Sequence, residues 1–191
     1  MARLWLVPRR DHEADVVTPS LTLTAAFTAL RIFLLGILPA GTEVTQGQAN
    51  RVPMPQGRNF VVMTPMRFEQ MAQTVHQVTP PNAPAPALGT DEIARSMALH
   101  FQLDVYGPSS GENATVITTL LRDSYGTEAF IATGFSPLYV EDPFQMPLVA
   151  GEQQWMQRWT IRLALHGHFV VTVPQSFADT LITELSEVSS W

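Results

Sequence analysis

The stretch WMQRWTIRLALHG, residues 155–167, alternates between two kinds of side chain. Every second residue from Trp155 is apolar apart from Gln157, whereas the intervening positions carry Arg158 and Arg162. Successive side chains of a β-strand point to opposite faces, so this order separates an apolar face from an arginine-bearing face. An α-helix would mix the two sets around its surface. The pattern therefore predicts a long strand with both of its tryptophans on the core side.

Other segments add strands to this one. EIARSMALHFQLDVYG, residues 92–107, alternates in the same way, and a run rich in Val and Met begins at Phe60. Pro65 lies in that run, and because proline donates no ladder hydrogen bond, we expect an edge or a bulge there. The proline-rich segment at residues 79–91 is expected to lack regular structure and to connect these two strands as a long hairpin. HFVVTVPQSF, residues 168–177, is predicted either to continue the tryptophan strand or to return as another strand.

A first helix is predicted from apolar residues that recur every three to four positions. These residues are Leu23, Phe27, Leu30 and Leu34. Thr18 or Ser20 is expected to cap the helix, and Pro39 and Gly41 are expected to end it. Arg31 interrupts the apolar run, so a buried amphipathic helix is favoured over a membrane span or a signal peptide.

A second helix is predicted after Ser109, because Glu112 follows at the spacing of a capping box. Its expected apolar side consists of Val116, Leu120 and Leu121. A short helical turn is expected at residues 126–132. The C-terminal segment at 178–188 fits a helix and a strand almost equally, with a strand slightly favoured.

Along the chain, the predicted strands are therefore grouped together and do not alternate one by one with the predicted helices. This order predicts an α+β fold, in which an antiparallel or mixed sheet with a long hairpin carries two main helices on one face. Residues 1–17 have no periodicity and are expected to form a flexible arm. Residues 18–191 are expected to form a single domain.

Composition excludes several classes of function. The formal net charge is −6, which disfavours general nucleic-acid binding. The chain has no cysteine, so disulfides, thiolate nucleophiles and cysteine-ligated metals are excluded. Charged residues make up only 15% of the chain, below the usual quarter. That deficit indicates either a large core or surface that is hidden against partners, and composition favours neither.

No motif for catalysis, cofactor binding or metal binding stands out, so an enzyme is not expected. His166 and His168 could share one side of a strand near His100, but two histidines close to a turn are far more common than a metal site. Glu141 and Asp142 are adjacent, so their carboxylates should point apart. The two tryptophans could form a ligand platform, although core positions are favoured.

Several long segments, in a consistent order, resemble the tail (neck) terminator proteins of contractile-tailed bacteriophages. The resemblance covers about residues 20–188. The segments are TALRIFLLGILPAGTEV (28–44), NRVPMPQGRNFVVMTP (50–65), HFQLDVYGPSS (100–110), LYVEDPFQMPLVAGEQQWMQRW (138–159) and VTVPQSFAD (171–179).

This resemblance implies a structural virion protein of the neck, at the head-proximal end of the tail, that is assembled in the host cytoplasm. It implies a ring of identical copies, expected to be a hexamer, that caps the tail tube and joins it to head-completion (stopper) proteins. The tail sheath is a further candidate partner, and no membrane partner is expected. The alternative is another ring-forming connector, such as a head-completion or tail-tube subunit.

The candidates for subunit interfaces are Arg51, Pro55, Arg158 and Arg162. Arginine forms bidentate ion pairs that suit interfaces, although a solvated face is an equal alternative for the two strand arginines. Genome DNA is expected to pass through the ring without sequence-specific binding. Six copies of a chain of net charge −6 carry a total of −36, which would let DNA slide past an acidic wall.

Overall fold

A computed structural model of the protein describes residues 17–48, 55–83, 87–146, 148–150 and 154–177. The helices are α1 (Leu23–Ile37), α2 (Ser110–Leu121) and α3 (Ser124–Phe130), the last extended by a 3₁₀ turn at Ile131–Thr133. The strands are β1 (Glu43–Gln46), β2 (Phe60–Gln70), β3 (Val75–Thr79), β4 (Ala87–Tyr106), β5 (Phe135–Val140), β6 (Phe144–Gln145), β7 (Leu148–Ala150), β8 (Gln154–Met156) and β9 (Arg158–Phe177).

Two strands of 20 residues each, β4 and β9, form the centre of the sheet. They pair antiparallel along their whole length, from Ala87 opposite Phe177 to Tyr106 opposite Arg158. The order across the sheet is β1-β2-β4-β9-β5, while β3 also pairs with β4 and β6 with β9. Because β1 runs parallel to β2 and the other pairs are antiparallel, the sheet is mixed. The predicted α+β fold is confirmed.

The core lies between one face of this sheet and the helices. Phe101 and Leu103 of β4 and Leu163 of β9 are at most 1% exposed. Phe27 of α1 contacts Phe101 edge to face, with ring centroids 5.3 Å apart. The alternation predicted for both strands is therefore confirmed on this face. The strand at 155–167 also continues through residues 168–177, one of the two alternatives that the sequence leaves open.

The first helix begins later than predicted. Its N-cap is Thr22, whose hydroxyl accepts a hydrogen bond of 3.1 Å from the Ala25 N–H. Ser20 instead bonds to β9, because its N–H donates to the Val170 carbonyl at 2.9 Å and its hydroxyl accepts from the Val170 N–H. The cap predicted at Thr18 or Ser20 is wrong. The predicted end is confirmed, since α1 stops at Ile37 and Gly41 has a φ of +86°.

The second helix begins where predicted, but without the capping box. The Ser109 side chain makes no cap hydrogen bond, and its backbone N–H donates to Asn59 Oδ1 at 3.3 Å. Val116 points outward, and the buried side is formed by Ala114, Ile117, Thr118 and Leu121. The short helical turn predicted at 126–132 is confirmed as α3 and its 3₁₀ extension.

Two bulges lie at the same level of the sheet. The register shifts between Pro65 and Arg67 on β2, which confirms the predicted irregularity at Pro65. It shifts again between Pro137 and Tyr139 on β5. Arg67 is opposite His100, and Tyr139 is opposite Ala164, the residue that pairs with His100. Bulges bend a strand and increase its twist, so the sheet is reshaped on both sides of His100.

Two further predictions are wrong. The segment at 79–91 is not irregular throughout, because β4 begins at Ala87 and has β9 as its partner from that residue onward. The tryptophan strand breaks at Gln157, which places Trp155 on β8 with 73% of its surface exposed. Only Trp159 packs against the core. The segment at 178–188 and residues 1–16 of the arm lie outside the described residues.

Candidate functional site

The face of the sheet that is opposite to the helices carries a polar network at its centre. Asp104 of β4 is 6% exposed and accepts hydrogen bonds from the Thr160 hydroxyl at 2.6 Å and from Gln102 Nε2 at 2.9 Å. Arg158 Nε lies 4.0 Å from the same carboxylate. A buried carboxylate is costly unless it is hydrogen-bonded, and here its oxygens are satisfied. We therefore assign this group to the stability of the sheet.

A second polar group surrounds His100, between the two bulges. His100 Nε2 is 3.0 Å from Glu69 Oε2, and its Nδ1 is 3.0 Å from the Tyr139 hydroxyl. Arg67 pairs with Glu69 at 2.7 Å. His100, Arg67 and Tyr139 border a depression of about 230 Å³ that Arg162 also lines. Both ring nitrogens of His100 are within hydrogen-bonding distance of side chains from neighbouring strands, which holds the ring in place.

The two strand arginines differ in their surroundings although they share one face. Arg158 is only 20% exposed in its side chain, and its Nε donates to the Met146 carbonyl at 3.0 Å. Arg162 is 55% exposed, lies 3.9 Å from Glu141, and sits 5.5 Å above the Phe144 ring. Arg158 therefore fixes a loop of its own chain, and Arg162 is the one with free surface.

The other interface candidates lie before β2. Arg51 is outside the described residues. Pro55 is half-buried, and the backbone N–H groups of Gln56 and Gly57 after it donate to Glu43 Oε1 at 2.9 and 2.6 Å. These bonds attach the segment that enters β2 to the edge strand β1.

The remaining candidates for chemistry do not converge. His168 Nδ1 is 3.4 Å from the Ser96 hydroxyl. Asp142 pairs with Arg122 at 2.7 Å, whereas Glu141 lies near Arg162. Within the described residues, no group of three or more histidine and acidic side chains is arranged to hold a metal ion.

Exposed apolar surface is the feature that the sequence patterns did not indicate. Trp155 and Met156 of β8 border a depression of about 350 Å³ at the end of the sheet, together with Arg58, Gly107, Pro108 and Gln157. We call these six residues the end cup. On the helical layer, Tyr125 of α3 is half exposed and Ile131 is 75% exposed.

A second exposed structure extends from the opposite end of the sheet. We call it the distal ribbon, and it consists of β3 with residues 87–96 of β4 and 168–177 of β9. All of β3 is exposed, and Phe169 is the one apolar side chain of the ribbon that packs against the core. Ten strand residues span roughly 30 Å, so the ribbon is a long projection.

Among the described residues, no helix is both long and apolar enough to cross a membrane. The largest exposed features of the described surface are the distal ribbon and the apolar side chains of the end cup and the helical layer.

Comparison with known proteins identifies a family and solved structures of similar fold. The model of a protein family described as "Phage neck terminator protein" matches residues 24–187. A solved cryo-EM structure is also similar, the sheath/tube terminator of the PVC extracellular contractile injection system in its extended state. It has a TM-score of 0.37 and 13% identity, over 90% of this chain and 64% of that chain. This chain therefore spans less than two thirds of the protein it matches. No curated protein matches.

Proposed function

The chain belongs to the phage neck terminator protein family, and we propose that it forms a closed ring of six copies that ends the tail tube at its head-proximal side. In this proposal the ring also binds the head-completion proteins of the neck, and the tail sheath is a further neighbour. The protein acts as a structural part of the virion tail and not as an enzyme.

One observation carries this proposal, namely the extent of the family match. The match runs from the first turn of α1, through the whole sheet, and beyond the end of β9. The central strands, the helical layer and the distal ribbon all fall inside it. A terminator role thus applies to the complete described fold and not to one shared motif.

The shape of the chain supports a role in assembly. A subunit of a stacked ring needs surfaces for two lateral neighbours and for the rings above and below. The distal ribbon projects from one end of the sheet, and the end cup lies at the other. Both carry exposed apolar side chains, including Leu88 on the ribbon and Trp155 in the cup. Such surface on a protein with few charges suits partner contacts.

The polar groups of the open face support a structural role as well. The hydrogen bonds of the Asp104 and His100 networks are made within the chain, which supports a role for both networks in holding the open face together. We also propose that genome DNA passes through the ring without binding. The total charge of −36 for six chains disfavours adhesion of a polyanion. A ring with a mainly basic bore would contradict this part of the proposal.

The proposal is tested with the tail-tube protein of the same phage. Tube protein that polymerises alone is expected to give long tubes of variable length, whereas added terminator should bind one end and stop growth there. Electron microscopy of labelled protein measures both the position and the tube length. Label along the whole tube would indicate a tube subunit instead, and unchanged tube lengths with no bound label would refute capping.

A further inference from the structure

The end cup contains a cation without a partner. Of the arginines in the described residues, Arg58 alone has neither a hydrogen bond nor an ion pair, and it is exposed. It borders the cup together with Trp155, whose indole is 73% exposed. Arginine and tryptophan are both enriched among the hot-spot residues that contribute most of the binding energy of protein interfaces. The cup therefore has the chemistry of a contact for an acidic group with apolar neighbours.

The helix α3 and its 3₁₀ extension present a surface of the complementary kind. Tyr125, Glu128 and Ile131 follow one another at intervals of three, so they lie on one side of the helical segment. We call this set the α3 face. All three residues are exposed, and within the described part of the chain the Glu128 carboxylate has no hydrogen bond or ion pair. An unpaired anion is thus flanked by two apolar side chains.

The cup and the α3 face lie at different margins of the subunit. Arg58 lies two residues before β2, next to the edge strand β1, and the cup is at the end of the sheet where β9 begins. The α3 segment packs on β5, the last strand at the opposite margin. Because the two patches lie at different margins, one two-fold contact cannot pair both of them at once, whereas a head-to-tail contact between them closes into a ring when its rotation fits.

We infer that the end cup of each subunit receives the α3 face of the next copy, with Arg58 paired to Glu128 and Trp155 packed against Tyr125 or Ile131. This inference rests on the proposed ring and identifies the surfaces that form its lateral contact. Desolvated ion pairs at interfaces fix register and discriminate against wrong partners, which explains why Arg58 has no partner among the described residues of its own chain.

Charge reversal tests the pair. Arg58→Glu and Glu128→Arg should each raise the concentration for half-assembly by about tenfold or more, since each places like charges opposite one another. Combining both changes should restore most of the assembly. Glu92→Arg is the matched control, because Glu92 is also exposed and unpaired but lies on the distal ribbon. Arg58→Glu with Glu92→Arg should remain as weak as Arg58→Glu alone.

Assembly is measured by native mass spectrometry, and circular dichroism shows that each variant is folded. If the wild-type protein forms rings and Arg58→Glu forms them equally well, the contact is refuted while the ring remains. If the wild-type protein stays monomeric at every concentration, the ring and the contact are both refuted.

A cross-link gives a second test that does not depend on charge. The chain has no cysteine, so Arg58→Cys with Glu128→Cys introduces the only thiols. Mild oxidation should link neighbouring copies into a ladder that ends at the full ring, whereas neither single variant should give more than a dimer. Absence of the ladder from assembled rings would also overturn the contact.

Discussion

Replacing each tryptophan of the strand region by alanine should separate the core from the surface. Trp159 packs against the core cluster, and its indole lies beside Gly111 of α2. Truncation of a core tryptophan costs about 3–5 kcal/mol. Because Trp159 is half-buried, we expect Trp159→Ala to lower the free energy of unfolding by about 2–3 kcal/mol, which is about 4–12 °C in Tm for a chain of this size. Trp155→Ala should change it by less than about 0.5 kcal/mol.

The assay is urea unfolding followed by far-ultraviolet circular dichroism. Ring formation would make the measured free energy of unfolding depend on protein concentration. Both variants are therefore compared in the Arg58→Glu background, which weakens assembly, and at low concentration. In the wild-type background, Trp155→Ala should instead weaken assembly. Equal losses of stability from the two substitutions, or a loss below about 1 kcal/mol for Trp159→Ala, would refute this assignment of core and surface.

Three further predictions concern single side chains. Thr160→Val removes the hydroxyl that donates to buried Asp104 and should lower the free energy of unfolding by about 1–3 kcal/mol in the same urea assay; an unchanged midpoint would contradict this. The Tyr125 N–H donates to Asp123 and lowers the pKa of that carboxyl below 3.8. The folded pKa is thus the lower one, so this contribution to α3 is fully present above the unfolded value and is lost as pH falls through the folded value. The amide shift of Tyr125, followed by NMR, should titrate below pH 3.8, and a midpoint above 3.8 would be the wrong sign. Arg162→Glu should leave the fold intact, since Arg162 is 55% exposed, and weaken assembly in native mass measurements if its surface contacts a neighbour; an unfolded variant would contradict its surface position.

The sequence predicted what depends on repeated local patterns. Alternation identified the apolar faces of β4 and β9, because their buried and exposed sides persist over many residues. The three-to-four-residue spacing of Leu30 and Leu34 likewise identified α1. Prediction failed where a residue distant in sequence forms the hydrogen bond that a local pattern suggests. The spacing from Ser109 to Glu112 suits a capping box, but Asn59 takes the Ser109 N–H and no box forms.

The candidate interface was less predictable, for a similar reason. Arg158 and Arg162 share one face, yet the carbonyl of Met146 engages the first and leaves the second exposed. Gln157 is the one polar residue in the apolar set, and the strand breaks at this residue, but a single exception did not reveal that Trp155 is exposed. Arg58 belongs to no pattern, and only its lack of partners in the fold makes it a candidate. The sequence offered one indication of the α3 face, the three-residue spacing of Tyr125, Glu128 and Ile131.

Whether the protein closes into a ring is tested by the mass of the isolated protein in solution. Native mass spectrometry over a range of concentrations should give the monomer and one discrete larger species, a ring of six copies, with no longer stacks. A continuous ladder of growing oligomers, or a monomer at every concentration, would contradict a terminator that closes into a ring.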